Sequence, residues 1–437
     1  MRYTPLFLTF LLACTNSTGV ADSEPNPEDS NVTDSPTDST TETGETGESA
    51  DTQDTQDTAV TLHERMFLGT GEYDPNQNWH ALLRFDGAEE LDFPSISDGA
   101  TPEGVVPIKS CMDSEGVPQN FMHGFFVDEQ SDELYFAAIF TPYGSYKGDQ
   151  SQLLDAGSVG VFSGASGVDG AQTLARRLYG EQTGLSQPHG VWVDRSRDVL
   201  YVSNTFGENI LVWDNASTVD GNVAPDRIID YPDLGKPVFI YIDEGTDRMF
   251  VASMGGPGPQ VHVIANASAA DGDVVPVARI IGSETRLMLG NQTTHNLWFD
   301  PMTETLMVGH HTHEVLFFDL SDLNWEAADL ELNVAPAGVL SIAEESNLSD
   351  SADWSAYGIW FDQDDGRLFV SAGHTVGGGG PEAGAQSGHA VKVYANVRDY
   401  FGTGSDPIQV EPDRIIRWTN RATYFPPQPV WVSAYAE

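Results

Sequence analysis

The sequence predicts an all-β fold, a six-bladed β-propeller with four antiparallel strands in each blade. The main observation is a repeat in which an apolar run ends in Asp and is followed by a turn and a second apolar run. Five copies end their first run at Asp128, Asp194, Asp243, Asp300 and Asp362, so the steps are 66, 49, 57 and 62 residues. A strand-forming repeat of this period is typical of propellers, in which neighbouring units bury each other's faces.

Each repeat supplies four predicted strands, named A to D from the axis outward. In one copy, strand A is 191–194, strand B is 200–202, strand C is 210–213 and strand D is 227–229. The connection between C and D contains Asn, Ser, Asp and Gly, which are residues that favour turns. Its Asn-Ala-Ser at 215–217 matches a glycosylation sequon, and we interpret it as turn chemistry.

The two ends of the domain look like complementary halves of one blade. Residues 66–68 and 81–85 resemble strands B and C without a preceding strand A, and residues 429–433 resemble a strand A without a following strand B. Joining them gives a sixth blade and removes open sheet edges. A seventh blade within residues 86–120 is the alternative.

The Trp residues of strand A recur at one position of the repeat, at Trp192, Trp298, Trp360 and Trp431. We expect them to be core residues that face the layer between blades. A sugar-stacking platform would instead require aromatic residues in the loops.

The first 14 residues predict an export signal. Arg2 precedes a short apolar run at 6–12, which is too short to span a bilayer. The sequence Leu11-Leu12-Ala13-Cys14 resembles the lipobox of bacterial lipoproteins. This resemblance implies cleavage before Cys14, acylation of that residue, attachment to a membrane, and an outer-membrane or cell-surface address. A cleaved signal with an incidental Cys is the alternative.

Residues 15–58 form the second predicted segment, an acidic disordered linker. They carry twelve acids and no Lys or Arg, among Thr, Ser, Gly and Pro. Such a segment cannot bury enough apolar surface to offset its chain entropy, and repulsion between its acids extends it. We expect it to act as a tether.

The remaining segment, 59–437, is predicted to be one domain with a strong negative charge. It holds 54 of the 66 acids and 19 of the 20 basic residues, which gives a formal charge of about −35. This field repels nucleic acid and anionic lipid and favours cationic or neutral partners. Cys111 alone remains after acylation of Cys14, so an intrachain disulfide is not expected. We expect a monomer.

One copy of the repeat reads Gln-Pro-His-Gly-Val-Trp-Val-Asp over 187–194. This motif resembles the NHL repeat, whose blades open with Pro-x-Gly, an apolar run and Asp. The resemblance extends loosely over most of the domain. It implies a propeller of a kind that includes surface recognition modules, lactonases and a zinc-dependent amidating lyase. Fold resemblance therefore does not choose a function.

The loops predict which face of the propeller binds a ligand. The D–A and B–C connections share one face, and the B–C connections at 140–158 and 373–389 are long, whereas the A–B turns are short. Insertions on one face of a rigid scaffold favour a binding site there. The predicted ligand-binding residues at this mouth are Arg176, Asn204, Arg286 and His374.

Alignment on the repeat Asp brings polar residues to the head of strand A, five positions earlier. The aligned residues are His123, His189, Val238, His295, Tyr357 and Gln428. Three imidazoles on one ring could hold Zn²⁺ or a similar ion. The amidating lyase has a three-His zinc site in a six-bladed propeller, and the resemblance implies a similar site here, although these ligands come from blades 2, 3 and 5. The alternative is that the His residues only line a wet channel.

Two functional hypotheses follow. The first is a non-enzymatic binding module for a peptide, a glycan or another envelope protein. The second is a metal-dependent hydrolase or lyase, with His123, His189 and His295 on the ion, His310 as a fourth ligand and Tyr357 as general acid or base. The sequence has no nucleophile elbow, phosphate loop or Cys-pair zinc motif, which favours the binding module.

Overall fold

The computed structural model describes residues 62–70, 81–95, 98–108, 121–139, 157–288, 294–310, 313–342, 353–375, 390–418 and 428–436. All of them belong to one compact unit, Ala59–Glu437. They form six sheets, each built on an antiparallel blade of four strands, and two of the sheets gain a fifth strand that pairs in parallel. The prediction of an all-β, six-bladed propeller is confirmed, because the described residues between 86 and 108 contribute the outer strand of blade 1 and not a further blade.

The strands follow the predicted order in every blade, with strand A innermost. Blade 1 contains β1 (Leu62–Thr70), β2 (Ala81–Asp86) and β3 (Gly104–Pro107). Blade 2 consists of β4 (Phe121–Asp128), β5 (Glu133–Ile139), β6 (Gly157–Ser163) and β7 (Arg176–Tyr179). Blade 3 consists of β8 (Gly190–Asp194), β9 (Val199–Asn204), β10 (Asn209–Asp214) and β11 (Arg227–Ile229).

Blade 4 consists of β12 (Lys236–Asp243), β13 (Arg248–Met254), β14 (Gln260–Ala265) and β15 (Ala278–Ile280). Blade 5 consists of β16 (Thr294–Asp300), β17 (Thr305–His310), β18 (Glu314–Asp319) and, after the short β19 (Leu330–Leu332), β20 (Gly338–Ile342). Blade 6 consists of β21 (Asp353–Phe361), β22 (Leu368–Thr375), β23 (Ala390–Tyr394) and, after the short β24 (Ile408–Val410), β25 (Arg414–Ile416). The last strand is β26 (Gln428–Ala436).

Short 3₁₀ turns lie in the connections. Their bounds are Ala88–Glu90, Ala165–Gly167, Glu181–Thr183, Thr205–Gly207, Ala267–Ala269, Ser283–Thr285 and Val397–Tyr400. Among the described residues, no helix has the length and apolar character that crossing a membrane requires.

The ring is closed by the two ends of the domain, as the sequence predicts. The C-terminal strand β26 pairs antiparallel with β1 and becomes the innermost strand of blade 1, with Met66 opposite Val432 and Phe67 opposite Trp431. The closure makes the first and last parts of the domain depend on each other for a complete blade.

Each outer strand is covered by the following blade, which the sequence did not predict. Strand β19 pairs parallel with β15 of blade 4, and β24 pairs parallel with β20 of blade 5. Blade 2 is covered by a shorter version of this pairing, in which Gly221 N–H donates to the Arg177 carbonyl at 2.8 Å and Asp220 accepts from Arg177 N–H at 2.7 Å. Asp271-Gly272 repeats the contact on blade 3. The recurrent Asp-Gly therefore protects exposed edges.

The Asn-Ala-Ser motif has the turn role that the sequence predicts. The carboxylate of Asp198 accepts from Ser217 N–H at 2.8 Å and from its hydroxyl at 2.7 Å, and Asp247 binds Ser268 in the same way. The serine hydroxyl thus ties the C–D connection to the A–B turn of its own blade.

Candidate binding site at the channel mouth

The head of strand A carries a β-bulge in five blades. The pairing with strand B skips Val238 in β12, His295 in β16 and Tyr357 in β21, and in β4 it passes over His123 and Gly124 together. A bulge opposes two residues to one partner and re-aims a side chain that would otherwise alternate. In β26 the skipped residue is Pro429, one position later than the Gln428 that the repeat alignment predicts.

Below these bulges, one aromatic residue from each blade meets at the axis. The six residues all lie two positions before the repeat Asp or its equivalent: Trp431, Phe126, Trp192, Tyr241, Trp298 and Trp360. The rings of Trp192, Trp298 and Trp431, from alternate blades, have centroids 5.7 to 6.0 Å apart. The predicted burial of these three Trp residues is confirmed, but they meet at the axis and not in a layer between blades.

The aromatic layer closes the channel and defines a cup. We use this name for the space above the six rings, bounded by the heads of the A strands and by the described parts of the D–A and B–C connections. The head residues precede the aromatic residues by three positions, which corresponds to roughly 7–10 Å along a strand. A ligand that enters the mouth would therefore meet the head residues before it reached the aromatic layer.

Two of the predicted metal ligands lie side by side at the head of the A strands. The ring centroids of His123 and His189, from blades 2 and 3, are 4.0 Å apart, with planes inclined at 35°. Within the described residues, no group of three or more His, Cys, Asp or Glu side chains is placed to hold one ion. The side chain of His295 lies outside the described part.

His189 has the chemistry of an available ligand. Its backbone is fixed, because its N–H donates to the Ser203 carbonyl at 3.0 Å. Its Nδ1 is buried without a partner, and its ring forms no hydrogen bond in the described structure. Burial lowers the pKa of His189 to about 4, so the ring is neutral at pH 7 and offers one N–H donor and one lone pair.

His310 and Arg286 lie at the mouth but are engaged. His310 is buried, and its Nε2 lies 3.1 Å from the Leu287 carbonyl; burial lowers its pKa. Arg286 binds both carboxylate oxygens of Glu314 through Nε at 3.2 Å and Nη2 at 2.5 Å. Both contacts link two parts of the mouth. One is the D–A connection that leads into blade 5, and the other is the B–C hairpin of the same blade.

Asn204 is buried and holds two loops together. Its Oδ1 accepts from Ser186 N–H at 2.5 Å, and its Nδ2 donates to the Gly184 carbonyl at 3.0 Å and to Asn209 Oδ1 at 2.8 Å. Both amide hydrogens are used. This residue therefore shapes the mouth through the D–A connection of residues 184–186.

Arg176 lies at the opposite end of its blade from the predicted mouth. As the first residue of β7, it binds Glu133 through Nη1 at 2.6 Å and Nη2 at 2.8 Å and reaches the Ala216 carbonyl of blade 3. Arg227 and Arg414 make the corresponding contact with the next blade, at Ala270 and Ala88. In all three arginines, the guanidinium joins neighbouring blades on the side of the A–B turns.

Several predicted features fall outside the described residues. Backbone pairing places Tyr357 at the bulge of β21 and His374 opposite Trp354 near the end of β22, but their side chains are not described. Cys14 and Cys111, most of the loops 140–158 and 373–389, and the linker 15–58 also lie outside.

The structure adds four mouth residues that sequence reasoning missed. Gln187 Nε2 and Asn296 Oδ1 are buried without partners, and each belongs to a residue within two positions of an aligned His. Lys236 and Phe206 form a cation–π pair with the ammonium 4.7 Å from the ring centroid. Periodicity could have indicated Gln187 and Asn296, whereas the Lys–Phe pair joins two blades.

No protein-family model matches the chain, and no curated protein matches it. Among solved structures, the chain is similar to a chain in "Crystal structure of Nidogen/Laminin Complex", with 10% identity and a TM-score of 0.45 over 85% of this chain and 98% of that one.

Proposed function

We propose that this propeller is a binding module whose ligand enters the cup on the face of the D–A and B–C connections. The observation that carries the proposal is His189, a neutral imidazole at the mouth whose two ring nitrogens have no protein partner. An unpartnered buried polar atom costs about 1–3 kcal/mol, and a ligand or water in the cup would supply the missing hydrogen bond. A peptide, a glycan or another envelope protein is the proposed partner class.

The proposed setting is a bacterial cell envelope. In this proposal Cys14 is the acylated residue of an NHL-like lipoprotein, residues 15–58 are a disordered tether, and the propeller stands off the outer membrane or cell surface as a monomer. Several acyl chains at about 0.8 kcal/mol per buried CH₂ give firm anchoring. Retention of a Cys14→Ser protein in washed membranes would contradict the anchor.

The binding face can be tested with a peptide library and a glycan array. We expect ligands selected on the native domain to lose at least about tenfold in affinity, or 1.4 kcal/mol, when residues 141–155 and 377–388 are replaced by short Gly-Ser linkers or when His189 is changed to Ala. Titration calorimetry would measure the affinities, and near-ultraviolet dichroism would report folding.

The matched control lies on the opposite face. Glu244 belongs to an A–B turn and pairs with Arg195 at 3.4 Å, so Glu244→Gln should leave the affinity unchanged. A selected ligand that is insensitive to all cup changes but sensitive to Glu244→Gln would move the site to the other face.

A second candidate function is a metal-dependent hydrolase or lyase. The contact of His123 with His189, at 4.0 Å between ring centroids, favours it, because two imidazoles at this spacing can approach one ion. His295 would be the third ligand and Tyr357 the general acid or base, whereas His310 has its Nε2 engaged by Leu287. A bound Zn²⁺ would act as a Lewis acid toward a substrate carbonyl.

Elemental analysis tests the metal. If the second candidate is right, the purified domain holds about one zinc or similar ion per chain, and His189→Ala holds none. Titration of the metal-free protein with zinc gives an independent measurement. Native protein without metal and without affinity for added zinc would end the enzyme hypothesis and leave the binding module in place.

A further inference from the structure

One cation at the mouth differs from the described arginines in its surroundings. Twelve described arginines each pair with Asp or Glu. The ammonium of Lys236, the first residue of β12, forms no hydrogen bond or ion pair in the described structure. Since acids outnumber bases 54 to 19 in the domain, an ammonium without a carboxylate partner is unexpected at a merely structural position.

The aromatic partner of Lys236 is fixed and exposed. Phe206 lies on the 3₁₀ turn Thr205–Gly207 and is 44% exposed. Its N–H donates to the Ser186 carbonyl at 3.1 Å, and the neighbouring Thr205 hydroxyl donates to the Pro237 carbonyl at 2.6 Å. These two bonds join the turn to the D–A connection that leads into blade 3 and to the start of β12 in blade 4, so the exposed ring is held in place.

Phe206 also connects the lysine to the cup. The His189 ring faces Phe206 edge to face, with centroids 6.3 Å apart and planes at 78°. Lys236, Phe206 and His189 thus form a continuous series from an unpaired ammonium, through an exposed aromatic ring, to an imidazole with free nitrogens.

We propose that Lys236, Phe206 and His189 form a subsite for a ligand that carries a carboxylate next to a planar or aromatic group. The ammonium pairs with the carboxylate, the Phe206 ring packs against the planar group, and His189 hydrogen-bonds a polar atom deeper in the cup. The proposal rests on the proposed binding function and adds the chemical class of its ligand. A small aromatic acid and the C-terminal residue of a peptide both present this chemistry.

The net negative charge of the domain affects which anionic ligands the subsite selects. A net charge of about −35 repels anions at long range, but this repulsion is screened beyond about 8 Å at physiological ionic strength. An anion therefore gains electrostatic binding free energy only where an unpaired cation contacts it directly. The subsite should select ligands with a single carboxylate over polyanions.

The test uses four probes of defined chemistry on the whole folded domain. They are N-acetylphenylalanine and its amide, and a hexapeptide that ends in Phe with either a free or an amidated C-terminus. We expect each acid to bind at least about tenfold more tightly than its amide, measured by calorimetry and ligand-observed NMR. Binding of the small acid alone identifies a small-molecule site, and binding of the peptide acid alone identifies recognition of chain ends.

Variants assign the effect to the lysine. Lys236→Met keeps the aliphatic stem and should abolish the preference for acid over amide, whereas Lys236→Arg should keep it. Phe206→Leu should weaken the acid and the amide by similar factors. Arg195→Met removes a cation from the opposite face and should change nothing.

Two outcomes overturn the subsite. One is equal affinity of acid and amide, or no binding of any probe up to about 10 mM, which corresponds to less than about 3 kcal/mol of binding free energy. The other is an unchanged preference in Lys236→Met. If ligands from the peptide library or glycan array still require His189 and the loops, the proposed function survives while this subsite fails; if they do not, both fail.

Discussion

Deletion of residues 429–437 is expected to prevent the domain from folding. These residues form most of β26, the innermost strand of blade 1, and pair with β1 along its length. Their side chains Val430, Trp431 and Val432 are buried. Truncation of a buried Trp to Ala alone costs about 3–5 kcal/mol, and the stability of a whole domain is typically about 5–15 kcal/mol, so loss of the entire strand should exceed what remains.

The measurement is the yield of soluble protein, together with near-ultraviolet dichroism and thermal melting. Removal of residues 15–58 is the matched control, since it deletes more chain from the other end and should leave the melting temperature of the propeller unchanged. A domain without 429–437 that kept its near-ultraviolet signal and its melting temperature would show that the last strand is dispensable for the ring.

The blades could be predicted from sequence because their strands are local and periodic. An apolar run, a short turn with Asp and a second apolar run define strands A and B without knowledge of any distant residue. The closure was also predictable, because residues 66–68 lack a strand A and residues 429–433 lack a strand B. The requirement that a propeller has no open edge joins the two.

Strand register was harder to predict, because one motif can pair in different registers. The Arg-Ile-Ile sequence of strand D, at 227–229 and 279–281, illustrates this: Arg227 lies opposite Val212, but Arg279 lies opposite His262, which is one position earlier in strand C than the equivalent of Val212. Arg279 consequently faces Asp233 and Asp329 at the outer edge. The same motif thus has different partners in blades 3 and 4.

The mouth could be predicted only in part. The repeat alignment found His123 and His189, which lie together. Arg176 was predicted beside the mouth, whereas it is the first residue of β7 and lies at the other end of its blade. The pair of Lys236 and Phe206 joins residues 30 positions apart on different blades, and nothing in the local pattern of either residue indicates the contact.

The axial aromatic layer was only partly recognised in the sequence, because two of its six positions do not hold Trp. Trp192, Trp298, Trp360 and Trp431 were recognised as a set, but Phe126 and Tyr241 occupy the same repeat position in blades 2 and 4. With all six included, every blade contributes one ring, and six large rings fill a central channel completely enough to make contacts across it. Contacts between alternate blades are possible only at the axis.

We expect Trp298→Ala to destabilise the domain by about 3–5 kcal/mol. The Trp298 ring contacts four other rings, with centroids between 5.0 and 6.0 Å away: Trp192, Tyr241, Trp360 and Trp431. Aromatic pairs contribute about 0.5–1.5 kcal/mol beyond the buried area. The free energy of unfolding, measured by urea denaturation, should fall accordingly, and the near-ultraviolet signal of the coupled indoles should weaken.

Two comparisons separate the axial layer from ordinary core packing. Trp298→Phe should cost less than half as much as Trp298→Ala, because it keeps a ring at the axis and removes an indole N–H that is buried without a partner. Trp325→Ala removes a half-buried Trp at the edge of the same blade, where Arg248 stacks at 3.5 Å, and should cost about 1–2 kcal/mol in proportion to its smaller buried area. Equal losses of unfolding free energy in Trp298→Ala and Trp325→Ala would mean that the rings at the axis add no more stability than a peripheral tryptophan. The aromatic layer would then be a consequence of the fold and not one of the main contributions to its stability.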